Sequence, residues 1–208
     1  MKHLMFILFV VILLPVQAQW DTSGVRRCDY AAPVTGGVLL AGGSLFTFVP
    51  ELKAQAVSLR DVVQADGHAK LHFDDYLEYI MPATPLALNI CGLKGKHDLK
   101  KMAMLEGASY LLGVALLEAG KHGLGVQRPD NNALTSFPSG HTFSATAAAE
   151  LLRREYGEDY PWIAVAGYTV AALVGAMRIY NNRHWVGDVA AGAGLGILSV
   201  SVVYWILD

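Results

Sequence analysis

Apolar stretches alternate with short polar connectors along almost the whole chain. After an apolar run from Leu4 to Val16, six further stretches follow: Pro33 to Pro50, Tyr76 to Leu93, Met102 to Gly120, His141 to Leu152, Pro161 to Met177 and Val189 to Leu207. Each predicts a helix. The last carries no charge and ends in Tyr204 and Trp205, aromatics suited to a bilayer interface, so it predicts a membrane span. Its Gly192, Gly194 and Gly196, interleaved with alanines, predict tight packing against another helix. Glu106 and Glu118, and then Glu150, interrupt the third and fourth of the six stretches, which predicts half-buried helices there. Glu51 to Asp75 mixes charges with Val57, Leu59, Val62 and Val63, the pattern of an amphipathic helix on a membrane or protein surface. The fold class expected is all-α, a membrane-embedded bundle of about five to six helices.

Charge along the chain orients this bundle. Lys2 and His3 precede the first apolar run, and Val16-Gln17-Ala18 offers small residues at the positions a signal peptidase reads, so residues 1–18 predict a cleaved export signal. That run is too short for the ~20 residues of a span. Val25-Arg26-Arg27 before Cys28 argues against a lipoprotein anchor. The connector Lys94 to Lys101 is rich in lysine, and the one after Leu152 begins Arg153-Arg154; the positive-inside rule puts both on the cytoplasmic side. Residues 121–140 and 178–188 then share the external face. An exported N-terminus followed by a full crossing at Pro33 to Pro50 would invert the arrangement. That segment is therefore expected to lie against the bundle or re-enter without crossing. Three regions result: the signal at 1–18, an N-terminal region at 19–75 and a helical-bundle domain at 76–208.

The composition agrees and narrows the partners. Of 208 residues, 53% are hydrophobic and 16% charged, which excludes disorder. Lys plus Arg number 16 against 18 Asp plus Glu, so no basic surplus exists to hold nucleic acid. Cys28 and Cys91 are too few for a zinc cluster or disulfide scaffold.

Three polar stretches fall on the external face and carry the candidate chemistry. Lys121 and Arg128, with glycines between them, offer fixed positive charge for an oxyanion, although a snorkelling pair at a membrane edge would look the same. Phe137-Pro138-Ser139-Gly140-His141 opens a helix whose first N–H groups suit a phosphate, and His141 at its mouth can give a proton to a leaving oxygen. Ser139 and Gly140 also read as plain cap residues. Arg178 supplies a planar cation, and His184 and Asp188, four apart, are expected on one helix face with the carboxylate orienting the imidazole.

Together the stretches resemble the signature of the type 2 phosphatidic acid phosphatase superfamily: Lys, six residues, Arg-Pro; Pro-Ser-Gly-His; and Ser-Arg, five residues, His, three residues, Asp. Order and spacing agree from about Tyr76 to Asp208, with Met177 where the family usually has Ser. The resemblance implies a haloperoxidase-like helical core. It implies His184 as the nucleophile forming a phosphohistidine, Asp188 as its orienter and His141 as general acid. Lys121, Arg128, Ser139, Gly140 and Arg178 would hold the phosphoryl oxygens, without metal or cofactor. His122 and Arg183 are expected at the rim, and His68, His72 and His97 as solvated or structural. The implied protein is a bacterial inner-membrane enzyme facing the periplasm, with a lipid mono- or diphosphate as substrate, the bilayer as its setting and no obligate protein partner. A soluble exported acid phosphatase or vanadate-dependent haloperoxidase relative is the first alternative, disfavoured by the uncharged last segment. A non-catalytic membrane scaffold is the second, and it has no need of cations and imidazoles at these spacings.

Overall fold

The computed structural model describes residues 30–65, 67 and 69–208, so the expected export signal, Cys28 and His68 lie outside the described residues. Seven helices occur among them: α1 Ala31–Phe48, α2 Pro50–Gln64, α3 Phe73–Ile90, α4 Leu99–Leu124, α5 Gly140–Tyr156, α6 Pro161–Tyr180 and α7 Val186–Leu207. Every expected helix is present, and most run beyond one end of their apolar stretch. In α4 the Asp98 side chain accepts from the Lys101 backbone N–H at 2.8 Å, and Gly125 ends the helix with a φ of 58°, which an L side chain resists. This added length brings Lys121 and His122 into the last turn of α4.

The amphipathic segment differs from its expected form. It ends at Gln64, and α3 begins at Phe73, so Asp74 and Asp75 belong to the first turn of α3, where acidic groups suit the helix dipole. The boundary expected at residue 76 thus falls inside a helix. Its N-terminal side is also bound to the rest, because α1 runs along α7.

That pairing rests on small residues. A Cβ on Gly43 would come within 2.5 Å of the Gly187 carbonyl oxygen, and one on Gly194 within 2.5 Å of the Gly36 carbonyl oxygen. Only backbone against backbone fits there. The contacts run antiparallel, with Thr47 beside Gly187 at one end and the Tyr30 and Trp205 rings 6.1 Å apart at the other. The segment Pro33 to Pro50, expected to lie against the bundle or re-enter without crossing, forms α1, which packs along α7 and is long and apolar enough to cross a membrane. Its glycines mate with those of α7 along the whole shared length.

Helices α3 to α7 alternate in direction, and α2 lies across the end where α1 finishes. One end gathers Lys121, Gly140, Arg178 and His184. The other gathers the basic connectors. Four helices, α1, α4, α6 and α7, are long and apolar enough to cross a membrane. Their outward faces carry Val34, Leu45, Leu111, Trp162, Leu173 and Trp205, all exposed. The interior is built from small residues: Ala145, Ala148 and Ala149 of α5 meet Ala190, Ala193 and Ile197 of α7. This is a membrane protein of all-helical architecture.

Arg153 and Arg154 are not connector charges. Both lie in α5 and bind the fully buried Glu150 at 2.7 Å, which also accepts from the Tyr168 hydroxyl at 2.6 Å. Beside them, His97 bridges Glu155 at 2.8 Å and Asp208 at 2.7 Å, and Lys96 holds Asp208 at 2.5 Å.

Candidate active site

Four elements converge at the other end. The 125–139 connector supplies Arg128 and Ser136, α5 opens with Gly140 and His141, α6 ends with Arg178, and the turn into α7 carries His184. The turn is fastened at several points. The Trp185 indole N–H donates to the Gln127 carbonyl at 2.8 Å, and Arg183 pairs with Asp130 at 3.1 Å. Arg60 of α2 donates to Asn182 Oδ1 at 3.1 Å and to the Pro129 carbonyl at 3.3 Å, joining both connectors.

His184 is 3% exposed and precedes α7. Its Nδ1–H donates to the Ser136 carbonyl oxygen at 2.8 Å, since a carbonyl can only accept. This fixes the tautomer and leaves the Nε2 lone pair free, with no partner among the described residues. Asp188 Oδ2 is 3.7 Å from Nδ1, too far for a bond. The carboxylate instead accepts from the Ser136 hydroxyl at 2.5 Å and from the Trp185 backbone N–H at 2.9 Å. The expected direct His–Asp contact is thus corrected. The pair sits at a helix start, where residue 188 turns back to cap α7, and Ser136 stands between them. No spacing within 184–188 could have revealed Ser136, which comes from another connector.

Burial lowers the basicity of His184 below the ordinary imidazole range. The nearby negative charge of Asp188 opposes this, and the charges of Arg178 and Arg128 add to it. A neutral imidazole with its Nε2 lone pair open is a competent nucleophile.

The cations lie around it. Arg178, 5% exposed, donates from Nη1 to Asp74 at 2.7 Å and Asp75 at 3.1 Å, and its Nε is buried without a partner. Arg128 also keeps a buried Nε unpartnered, as does the Asp188 Oδ1 atom. Buried donors are ordinarily satisfied, so these two guanidinium N–H groups are left available as donors in the site. The Lys121 ammonium lies 3.4 Å from where a Gly140 Cβ would stand, so glycine leaves the α5 N-terminus open to it.

Ser139 is fully buried. It is the N-cap of α5, but its hydroxyl accepts from Thr142 Oγ1 at 3.0 Å rather than capping a backbone N–H, and its own N–H donates to the Asp188 carbonyl at 3.0 Å. This turn fits against α7 only because residue 192 has no side chain, since a Cβ there would meet the Ser139 carbonyl oxygen at 2.4 Å.

His141 Nε2 lies 3.1 Å from Asp75 Oδ1 and 3.0 Å from Glu78 Oε2, and Asp75 also meets His72 at 3.4 Å. Desolvation would raise the Asp75 carboxyl; the bonds to His141 and His72 and the charge of Arg178 outweigh it and hold the group below the ordinary carboxylate range. These α3 carboxylates were missed in the sequence, where Asp74 and Asp75 read as the tail of an amphipathic segment. Their place in a first helical turn was the available signal. His122 pairs with Glu118 at 3.2 Å on the exposed rim. No cluster of three or more His, Cys, Asp or Glu with metal-holding geometry occurs among the described residues.

A groove of about 410 Å³ runs from Lys121 and Gly140 down between α3, α4 and α5. Tyr79, Pro82, Tyr110, Val114, Leu117 and Phe143 line it, with Glu78, Glu118 and Lys121 at its polar end.

An all-helical membrane protein with histidines, guanidinium groups and a helix N-terminus at one end of the bundle defines the class. The chain belongs to the PAP2 superfamily, whose model matches residues 103–208. It is 39% identical over 170 residues to the lipid A 1-phosphatase of Porphyromonas gingivalis, covering 81% of this chain and 37% of that protein. The chain thus spans little more than a third of that relative's length. It is also 31% identical over 109 residues to the decaprenylphosphoryl-5-phosphoribose phosphatase of Mycobacterium tuberculosis, covering 48% of this chain and 58% of the relative. The bacitracin transport permease protein BcrC of Bacillus licheniformis is 40% identical over 73 residues, 34% of this chain and 32% of that one. The crystal structure of the first transmembrane PAP2 type phosphatidylglycerolphosphate phosphatase from Bacillus subtilis aligns with 97% of this chain and 94% of its own. The identity is 21% and the TM-score 0.43.

Proposed function

We propose that the protein is a lipid phosphatase that works through a phosphohistidine on the external face of the membrane. The observation that carries this reading is a buried His184, fixed through Nδ1 with its Nε2 lone pair open, beside two guanidinium groups whose Nε atoms have no partner. Nε2 attacks phosphorus, the P–N bond forms as the P–O ester bond breaks, and His141 gives its proton to the departing alkoxide. Water then attacks the phosphohistidine, His141 takes its proton, and inorganic phosphate leaves. Lys121, Arg128, Arg178 and the Gly140 N–H spread the charge of the equatorial oxygens, the task that divalent ions perform in other phosphoryl transfers. Ser139 acts through the turn it holds, and Asp188 orients His184 by way of Ser136. The apolar groove suits a hydrocarbon chain, in keeping with the lipid phosphates named for two of the relatives.

The external orientation rests on Lys94, Lys96, Lys100 and Lys101 at the opposite end. In that orientation α1 starts on the cytoplasmic side, the reverse of what release of a cleaved, exported N-terminus would give, and the lysine-rich connector is preferred as the guide. Exposed apolar side chains on α1, α4 and α6 favour the membrane over a soluble exported phosphatase.

The test is purified protein in detergent micelles given a panel of lipid phosphates, with phosphate release measured and acid-labile label mapped after quenching. The reading expects label on His184, loss of release in His184→Ala and His141→Ala, inhibition by vanadate, and full activity in EDTA. Release that persists in His184→Ala, or that needs added magnesium, would overturn it. Thiol labelling of Asn132→Cys in a Cys28→Ser, Cys91→Ser background tests the orientation: an impermeant reagent should reach it in intact cells, and protection there would reverse the topology.

A further inference from the structure

His141 and Lys121 have carboxylates beside them at the mouth of the groove. Glu78 and Asp75 both touch His141 Nε2, at 3.0 and 3.1 Å, and Glu118 lies 3.4 Å from Lys121 Nζ at the polar end of the groove. Arg178, held by Asp74 and Asp75, still keeps its buried Nε unpartnered, so that N–H is left available as a donor in the site.

An oxygen that takes a proton from His141 Nε2 must lie roughly 3 Å from it. Delivered from that nitrogen, the proton reaches an oxygen within about 6 Å of both α3 carboxylates. As His141 gives up its proton, the cation that Asp75 and Glu78 share is lost, and Arg178 remains on Asp75. The field on the leaving group turns more negative at that moment. An uncharged alcohol leaves into it without penalty, and its hydroxyl groups can donate to the carboxylates. A leaving phosphate brings negative charge against two carboxylates, with Glu118 a third further along the groove.

We propose that Asp75, Glu78 and Glu118 make the site selective for phosphate monoesters of an uncharged alcohol over diphosphates, whose leaving group is itself a phosphate. This rests on the phosphatase reading above and names the substrate class within it. The chemistry balances in both cases: one P–O bond breaks, one proton passes from His141 to the leaving oxygen, and only the charge of the departing group differs.

The experiment compares a polyprenyl monophosphate with the diphosphate of the same chain in the same micelles, reading the ratio of the two kcat/KM values. Wild type should favour the monophosphate by about tenfold or more, the size expected of like charges held apart by a few ångströms near a protein surface. E78Q and E118Q should each narrow the ratio by roughly threefold, and E78D, which keeps the charge, should hold it near wild type. A ratio within one variant is unaffected by how much of that variant is folded. Glu118 does not touch His141, so E118Q keeps a ratio to read even where E78Q is inactive. A wild-type ratio at or below one, or a ratio unmoved in E118Q, would overturn the proposal while leaving the phosphatase standing. Failure to release phosphate from this pair and from every member of the lipid phosphate panel would instead remove the phosphatase reading.

Discussion

The two ends of the bundle use the same residue types to opposite effect. At the basic end, His97 has both ring nitrogens engaged, one by Glu155 and one by Asp208, and Glu150 is saturated by Arg153, Arg154 and Tyr168. At the other end, His184 uses one nitrogen on a carbonyl, and Arg128, Arg178 and Asp188 each keep a buried polar atom unpartnered. A closed network stabilises, because every desolvated group is repaid by a bond. An open one leaves donors that the proposed mechanism assigns to the phosphoryl group. Satisfaction of polar atoms, more than residue identity, separates the two histidines.

The strongest test of this contrast is His184→Ala, which should lower phosphate release by about 10⁴-fold or more while protein yield and melting stay near wild type. Next, Gly192→Ala drives a Cβ into the Ser139 carbonyl and should cost roughly 10- to 100-fold in kcat, since it shifts the turn bearing His141. Substitution at the closed end should do the reverse. His97→Ala leaves the fully buried Glu155 side chain short of a partner and should lower Tm by on the order of 5 °C, with kcat/KM of the folded protein within about twofold of wild type.

Acidity probes the open end more gently. His184 must be neutral to attack, and its affinity for protons is lowered by burial, so activity is lost as pH falls through that lowered value and is retained above it. The acid limb of kcat/KM should therefore lie below the ordinary imidazole range. A limb within that range would place His184 in a wetter setting than the structure gives it. The smallest effect expected is from Arg60→Ala, which removes a half-exposed brace between the two connectors and should raise KM about two- to threefold.

What the sequence foretold depended on the range of each interaction. Helix positions were readable because apolar periodicity and caps are local, and Lys121, Arg128, His141, Arg178 and His184 were readable because short motifs carry them. Ser136, Asp74, Asp75 and Glu78 were not, since their significance lies in contacts between elements far apart in the chain. The pairing of α1 with α7 was not legible for the same reason, since it rests on the match of Gly36 and Gly43 to glycines late in the chain. Arg153 and Arg154 misled because their charge is neutralised within α5 itself.

The mating of α1 with α7 also bears on how the protein is made. The flat side of the first described helix has its complement only in the last, with all the others synthesised in between. Until that complement arrives, lipid must cover a strip of bare backbone. Docking of the two is then a late event of biogenesis, and it would press Gly187 and the turn bearing the reactive imidazole into place together. A polypeptide halted before its final span would remain inert for want of that closure, whatever the state of its other segments.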